Sequence, residues 1–190
     1  MLIGFVFIFM TLLPTEYLET TLKLNNQQTQ TISNGIADQA VQLKLPKNLP
    51  AGEPVLLEMT LLPVQGANEK ASTATILEGR LDLPGVVAFP APVSEVAYQP
   101  EQTISFRWLV TASSDAPTPG RLWLTLIVLN PAGGETRTVL LAYPLEMELR
   151  RVVGLTFTEA RWIGAGIAGI GLIAVLIQFQ VRKGQPKKRI

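Results

Sequence analysis

The chain has 190 residues, 47% of them apolar, and its mean hydropathy of +0.29 excludes a mainly disordered protein. It contains no cysteine and no histidine, which excludes disulfides, thiol chemistry and imidazole-based catalysis. Residues 1–14 carry no charge, residues 15–160 carry all 15 acids and 10 bases, and residues 161–190 carry six bases and no acid, an asymmetry typical of a membrane protein.

The first predicted element is the apolar run in residues 1–14, which reads MLIGFVFIFMTLLP. Thirteen residues before a proline would rise about 20 Å as a helix, less than a bilayer's hydrocarbon core. The run is typical of a signal-peptide core or of a short retained anchor. No base precedes it and no small-residue cleavage pattern follows it, so an apolar strand of the next domain remains a third alternative.

Residues 15–155 are predicted to form one β domain, because apolar residues alternate with polar ones in short runs bounded by proline and glycine. The clearest alternating segments are AVQLKLP from Ala40 and TISFRWLV from Thr103. The second has Phe106 and Trp108 on its apolar face. The spacing predicts seven to nine strands in an antiparallel β-sandwich. The other predicted strands lie near residues 29–33, 55–64, 74–83, 95–98, 122–129, 136–142 and 145–152.

Two patterns in this domain refine the prediction. The segment Asn130 to Gly134, NPAGG, joins two β-rich runs and predicts a hairpin, because glycine tolerates positive φ. Trp108 and Trp123 lie on consecutive predicted strands, where paired aromatic residues usually belong to a core. We therefore expect core positions for both, the alternative being an exposed binding platform.

An aromatic strand with Phe106 and Trp108, a turn at Pro119 and Gly120, and a closing strand from Pro144 follow one another in the chain. This arrangement resembles bacterial immunoglobulin-like sandwich domains held at a membrane. The resemblance implies an Ig-like fold and a role in protein contacts. The cysteine pair of antibody-type domains is absent, which excludes that subclass.

The stretch from Leu83 to Val93, LPGVVAFPAPV, has few polar side chains and three prolines. As a surface loop it would present to a partner an apolar patch of low conformational entropy. The candidate partner-binding residues are Leu83, Pro84, Val87, Phe89, Pro90 and Pro92. The alternative is a loop packed on the sandwich.

After a predicted juxtamembrane linker at 156–161, residues 162–181 read WIGAGIAGIGLIAVLIQFQV without a charge. Twenty residues rise about 30 Å as a helix, which predicts one transmembrane segment. The basic tail at 182–190 follows, and the positive-inside rule then predicts a cytoplasmic C-terminus and a β domain outside the plasma membrane. The bases expected to contact anionic lipid are Arg182, Lys183, Lys187, Lys188 and Arg189.

Small residues along the predicted helix indicate where another helix could approach closely. The candidate packing positions are Gly164, Ala165, Ala168, Gly169 and Gly171. A membrane-protein partner or a second copy of the chain could occupy this face, although glycine and alanine are also common in membrane helices generally.

The sequence predicts no catalytic residues, no cofactor, no metal site, no small-molecule substrate and no nucleic-acid partner. Glu146 and Glu148 would share one face of a strand, where we interpret them as solvated surface carboxylates. We therefore expect a non-enzymatic accessory or structural subunit of a membrane assembly. A surface-exposed sensor or carbohydrate-binding module is the alternative.

Overall fold

The computed structural model describes residues 6, 9, 11–12, 14–24, 36, 39–63, 75–99, 101–112, 119–130 and 133–184, with helix side chains up to Gln178. The chain forms two compact units. Thr15–Arg150 is one unit, and Met1–Pro14 together with Arg151–Ile190 is the other. The predicted β domain at 15–155 thus ends five residues earlier than expected.

The described residues are mostly β strands, with one apolar helix at the C-terminal end. The elements are β1 (Tyr17–Lys23), β2 (Ala40–Pro46), β3 (Asn48–Pro50), β4 (Pro54–Leu61), β5 (Thr75–Asp82), β6 (Val86–Phe89), β7 (Val93–Ala97), β8 (Ile104–Ala112), β9 (Gly120–Leu129), β10 (Glu135–Leu145), β11 (Glu148–Arg150) and α1 (Phe157–Gly184). The predicted strand at 29–33 lies outside the described residues.

The strands of the first unit form two antiparallel sheets and one small parallel pair. The larger sheet has the order β1-β2-β4-β8-β6, the second has the order β10-β9-β5-β7, and β11 pairs with β3 in parallel. The strand predicted at 145–152 is divided, because β10 ends at Leu145 and β11 begins a separate pair at Glu148.

One hydrophobic core contains residues from both antiparallel sheets. Leu43 and Leu57 contribute from the first sheet, and Leu77 and Leu124 from the second; all four are fully buried. The sheets approach closely at Gly79 of β5, where an added Cβ would lie 2.6 Å from Cδ1 of Phe106 on β8. The two-residue alternation predicted this core because successive strand side chains point to opposite faces.

The hairpin predicted at Asn130 to Gly134 is confirmed. β9 and β10 pair antiparallel, with Leu129 opposite Glu135. Gly133 and Gly134 have φ values of 91° and 104°, a region that favours glycine. The amide of Gly133 donates to the carbonyl of Asn130 at 2.9 Å.

The two tryptophans lie on different sheets, and the core position expected for both is found only for Trp108, since Trp123 is half-buried. Trp108 is fully buried on β8 and stacks on Phe106, with ring centroids 6.1 Å apart. Trp123 lies half-buried on β9, with the Arg121 guanidinium 5.6 Å from its ring centroid. The two strands are consecutive in the chain but do not share a sheet, because the chain crosses from one sheet to the other between β8 and β9.

The helix begins at Phe157, so residues 157–161 are helical and do not form the linker predicted at 156–161. A capping box starts the helix: the Glu159 amide donates to Oγ1 of Thr156 at 3.2 Å, and the Thr156 amide donates to Oε2 of Glu159 at 2.9 Å. By length and composition alone, Phe157–Gln178 can cross a membrane.

Candidate functional site

The outer face of the larger sheet carries an apolar patch at its β6 edge. Val87 and Phe89 point outward from β6 and are 71% and 69% exposed. Phe89 lies opposite Leu109 of β8, and Leu109 lies opposite Leu56 of β4. We call Leu56, Val87, Phe89 and Leu109 the β6 patch.

The sequence produces this patch by placing apolar residues on both faces of one short strand. Val86 and Ala88 pack on the hydrophobic core, while the alternate residues Val87 and Phe89 face away from it. β6 is the last strand of its sheet within the described part of the chain. Large apolar side chains on an edge strand are unusual unless a partner covers them.

A charged pair borders the β6 patch on the same sheet face. Arg107, two residues before Leu109, lies opposite Glu58, and its Nε donates to Glu58 Oε1 at 2.8 Å. The Oγ atoms of Thr60 and Ser105 lie 3.0 Å apart one pair farther along. An apolar centre with a polar rim is the usual anatomy of a protein interface.

A groove of about 300 Å³ lies on the other side of β6. Val86 and Ala88 line it from β6, and Val93 lines it from β7. Arg80 and Asp82 of β5 place charged groups at the same groove. β6 therefore separates an apolar outer patch from a concave surface with mixed polarity.

The structure changes the interpretation of the predicted partner loop. Leu83 is a buried core residue, and residues 86–89 form a strand. Val87 and Phe89 are exposed on β6, whereas the exposed prolines Pro84, Pro90 and Pro92 lie in its flanking segments. The run is thus an edge strand with its connections, because β8 supplies a hydrogen-bonding partner for it.

Sequence reasoning missed Leu56 and Leu109, which complete the β6 patch from two other strands. Leu109 lies on the polar face of its strand, between Arg107 and Thr111, and it is 42% exposed. That break in the alternation was the available signal. The sequence alone does not show that this position faces Phe89.

The candidate helix-packing residues do not all lie on one covered face. Gly164 is buried, and Ala168, Gly169 and Gly171 are half-buried, whereas Ala165 is exposed. Lys187, Lys188 and Arg189 lie outside the described residues. Arg182 and Lys183 belong to the last turns of α1, where the backbone alone is described.

Elsewhere, charged and titratable groups occupy separate positions. Glu146 and Glu148 are exposed, the first in the connection after β10 and the second on β11.

The Lys47 ammonium, which donates to Glu16 Oε2 at 2.8 Å, lowers the pKa of the Glu16 carboxyl. Burial raises the pKa of Tyr98 to about 12, and the Gln39 side chain opposes that rise. Within the described ranges, no cluster of three or more Asp and Glu side chains is arranged to hold a metal ion.

No known protein family matches this chain, and no curated protein is significantly similar to it. Among solved structures, the chain is similar to an X-ray structure described as Northeast Structural Genomics Consortium target SoR45. The sequence identity is 11% and the TM-score is 0.25, over 70% of this chain and 85% of the other.

Proposed function

We propose that this protein is a non-enzymatic, membrane-anchored subunit whose β domain binds another protein through the β6 patch. The observation that carries the proposal is the exposure of Val87 and Phe89, about 70% each, on an edge strand. Burying apolar surface contributes roughly 25 cal/mol per Å². Covering two such side chains together with Leu109 is therefore favourable for a partner with an apolar surface.

The chemistry of the patch favours a protein over a carbohydrate as its occupant. Sugar recognition requires polar groups that converge beside an exposed ring, whereas Phe89 lies opposite Leu109 and beside Val87. Trp108 is fully buried and Trp123 half-buried. The carbohydrate-binding alternative therefore has less support than a protein contact.

An immunoglobulin-like sandwich is the fold that we propose for the β domain. The order β2-β4-β8-β6 in one sheet and β5-β9-β10 in the other matches strands A-B-E-D and C-F-G of such domains. One departure is that β7, which pairs with β5, follows β6 in the chain. Ig-like domains commonly mediate protein contacts, in agreement with the proposed role.

We propose further that α1 spans the plasma membrane with its basic end in the cytoplasm and the β domain outside. The apolar length of α1 and the five bases after residue 181 support this orientation. Since the chain has no cysteine, a single Glu95→Cys variant reports its own accessibility. Labelling of intact cells by a membrane-impermeant maleimide is expected. Labelling only after lysis would reverse the orientation.

The partner contact is tested by tagged purification of the full chain from membranes in mild detergent, with stoichiometry read by mass spectrometry. Phe89→Glu places a charge at the centre of the patch and is expected to reduce partner recovery at least tenfold. Leu18→Glu is the matched control, because Leu18 is 47% exposed on β1, at the opposite edge of the same sheet. This control is expected to retain the partner.

Each outcome decides the proposal. Loss of a stoichiometric partner in Phe89→Glu but not in Leu18→Glu supports binding through the β6 patch. Equal recovery in both variants places the contact elsewhere and refutes that site. Recovery of the unaltered protein alone refutes the subunit role and favours a stand-alone sensor or ligand-binding module.

A further inference from the structure

The strand β1 forms one edge of the larger sheet, and among the described strands it pairs only with β2. Its seven residues, YLETTLK, include no proline and no glycine, and its register with β2 is regular. The edge strand β10 of the other sheet contains Pro144 and a register shift between Val139 and Leu141. Proline and bulges on an edge strand discourage the addition of a further strand. β1 carries neither.

Alternate backbone groups of β1 point away from β2. The Lys47 amide donates to the Glu16 carbonyl at 2.9 Å, and the Leu24 amide donates to the Gln39 carbonyl at 3.1 Å, both in the register of the β1–β2 pair. In an antiparallel pair, every second residue exchanges hydrogen bonds with the neighbouring strand. Since residues 16 and 24 bond to β2, the backbone groups of residues 17, 19, 21 and 23 face the open edge.

The charges of β1 are symmetric about Thr21. Glu19 precedes it and Lys23 follows it at the same spacing, so both lie on one face of the strand, and both are exposed. Glu19 pairs with Lys44 of β2 at 3.3 Å, whereas Lys23 lies opposite Ala40, which offers it no charge. Charges on an edge strand ordinarily deter pairing. Here they are opposite in sign, so a second β1 running antiparallel meets each charge with its complement.

Only one antiparallel register satisfies both the backbone groups and the charges. When Thr21 lies opposite Thr21 of a second copy, residues 19, 21 and 23 meet residues 23, 21 and 19, and all of them present their backbone groups to the partner strand. These pairs form about six interstrand hydrogen bonds. Each Glu19 carboxylate then lies opposite a Lys23 ammonium. A pair centred on Glu19 would instead place two carboxylates opposite each other.

The other face of β1 carries apolar side chains that the domain covers incompletely. Leu18 is 47% exposed and Leu22 is half-buried, although the residues opposite them on β2, Leu45 and Val41, are buried. In the register centred on Thr21, Leu18 lies opposite Leu24 of the second copy. A second copy therefore covers apolar surface as well as pairing the charges.

From these observations we infer that two copies of this chain pair antiparallel through β1, centred on Thr21, and join their five-stranded sheets into one. The occupant of the edge is a second copy because the same strand supplies the complement of both Glu19 and Lys23 in the hydrogen-bonding register. β6 lies at the opposite edge of the sheet, so the β6 patch of each copy stays open in the dimer. This inference does not depend on the partner-binding proposal.

The charge pairs are tested with two differently tagged copies of the full chain, co-expressed and purified through one tag from membranes in mild detergent. The unaltered copies are expected to recover each other. Lys23→Glu in both copies places a carboxylate opposite each Glu19 and is expected to lower recovery about tenfold. Glu19→Lys in both copies places two ammonium groups opposite each other and is expected to act similarly. A Lys23→Glu copy combined with a Glu19→Lys copy restores both opposite-charge pairs and is expected to regain most of the loss.

The register is tested by disulfide formation, which the absence of cysteine makes specific. Opposite residues that exchange both hydrogen bonds have Cα atoms about 5.5 Å apart, within the range of a disulfide. Thr21→Cys under mild oxidation in membranes is expected to give a covalent dimer. Thr103→Cys is the matched control, because Thr103 is also exposed but precedes β8, which β2 and β4 separate from β1. It is expected to give little covalent dimer.

Regained recovery in the mixed pair, together with a covalent dimer of Thr21→Cys, supports pairing through β1; an unchanged urea midpoint shows that each variant is folded. Unaltered copies that do not recover each other, undiminished recovery with Lys23→Glu, or equal covalent dimer from Thr21→Cys and Thr103→Cys each overturns it. A different protein recovered in place of the second copy also overturns it.

The two proposals fail separately. Phe89→Glu is expected to leave recovery of the second copy unchanged, because the β6 patch lies at the other edge of the sheet. The Leu18→Glu control of that patch is scored by recovery of a different protein, so loss of the second copy does not change its outcome.

Discussion

The close approach of the two sheets at Gly79 predicts that Gly79→Ala lowers the free energy of unfolding. An alanine Cβ at this position would lie 2.6 Å from Cδ1 and 2.7 Å from Cγ of Phe106. Carbon atoms pack best at about 3.5–4.0 Å, so the ring and the strand would have to separate by about 1 Å. Phe106 is fully buried and stacks on Trp108, which leaves the ring little room.

Two effects oppose each other in Gly79→Ala. At a compatible backbone position this change stabilises by about 0.4–1 kcal/mol, because it restricts the unfolded chain. Overpacking a well-filled core costs about 1–3 kcal/mol. The clash is with ring carbons and not with the end of a flexible side chain, so we expect net destabilisation of about 1–2 kcal/mol. With a urea m-value of about 2 kcal/mol per M, the midpoint falls by about 0.5–1 M.

The assay is urea unfolding of the full chain in detergent micelles, followed by tryptophan fluorescence. The control is Gly79→Ala in a Phe106→Leu background, because leucine lacks most of the ring that the new Cβ would meet. The cost of the alanine is expected to fall by at least half there, as coupling between contacting residues requires. A neutral or stabilising Gly79→Ala would refute the packing of β5 on β8.

Three further changes probe other contacts. Thr156→Ala removes the helix cap and is expected to cost about 0.5–2 kcal/mol, with faster hydrogen exchange in the first turn of α1; Thr158→Ala, exposed in that turn, is expected to change exchange little. Because the pKa of Tyr98 is raised to about 12 in the folded state, its contribution to stability is complete below pH 10 and lost as the pH rises through 12. Urea midpoints from pH 9 to 11.5 are therefore expected to fall less in Tyr98→Phe. Arg137→Ala leaves the largely buried Glu78 carboxylate without its 3.1 Å donor, and we expect a loss of stability that Glu78→Gln partly rescues. A loss no larger in Arg137→Ala than in Glu78→Gln would contradict that reasoning.

The division between the apolar patch and the core could be predicted only in part. The sequence showed that Val87 and Phe89 were candidate contacts, because residues 83–93 have few polar side chains. It did not show that residues 86–89 form a strand, since four residues between prolines resemble a loop. The partner that makes them a strand is β8, more than ten residues later in the chain.

The start of α1 and its contact with Thr11 also differ in how far the sequence predicts them, since the first depends on neighbouring residues and the second on distant ones. The Thr156 to Glu159 spacing is a local signal for a helix cap. Because the prediction used apolar length alone, it begins the helix at Trp162, five residues after its actual start at Phe157. The hydrogen bond from Arg161 to Thr11, by contrast, joins residues 150 positions apart in the chain, and no local pattern indicates it.

What the sequence by itself determined are the properties that depend on neighbours along the chain. Alternation at two-residue spacing determined which strand residues, such as Phe106 and Trp108, enter the core, and glycines determined the hairpin at residues 130–134. The tertiary structure alone decided which strands share a sheet, that Leu109 completes a surface with Phe89, and that Arg161 of α1 donates to Thr11. The physical reason is that these contacts join residues distant in sequence, and their free energy depends on burial, which forms only when the chain is folded.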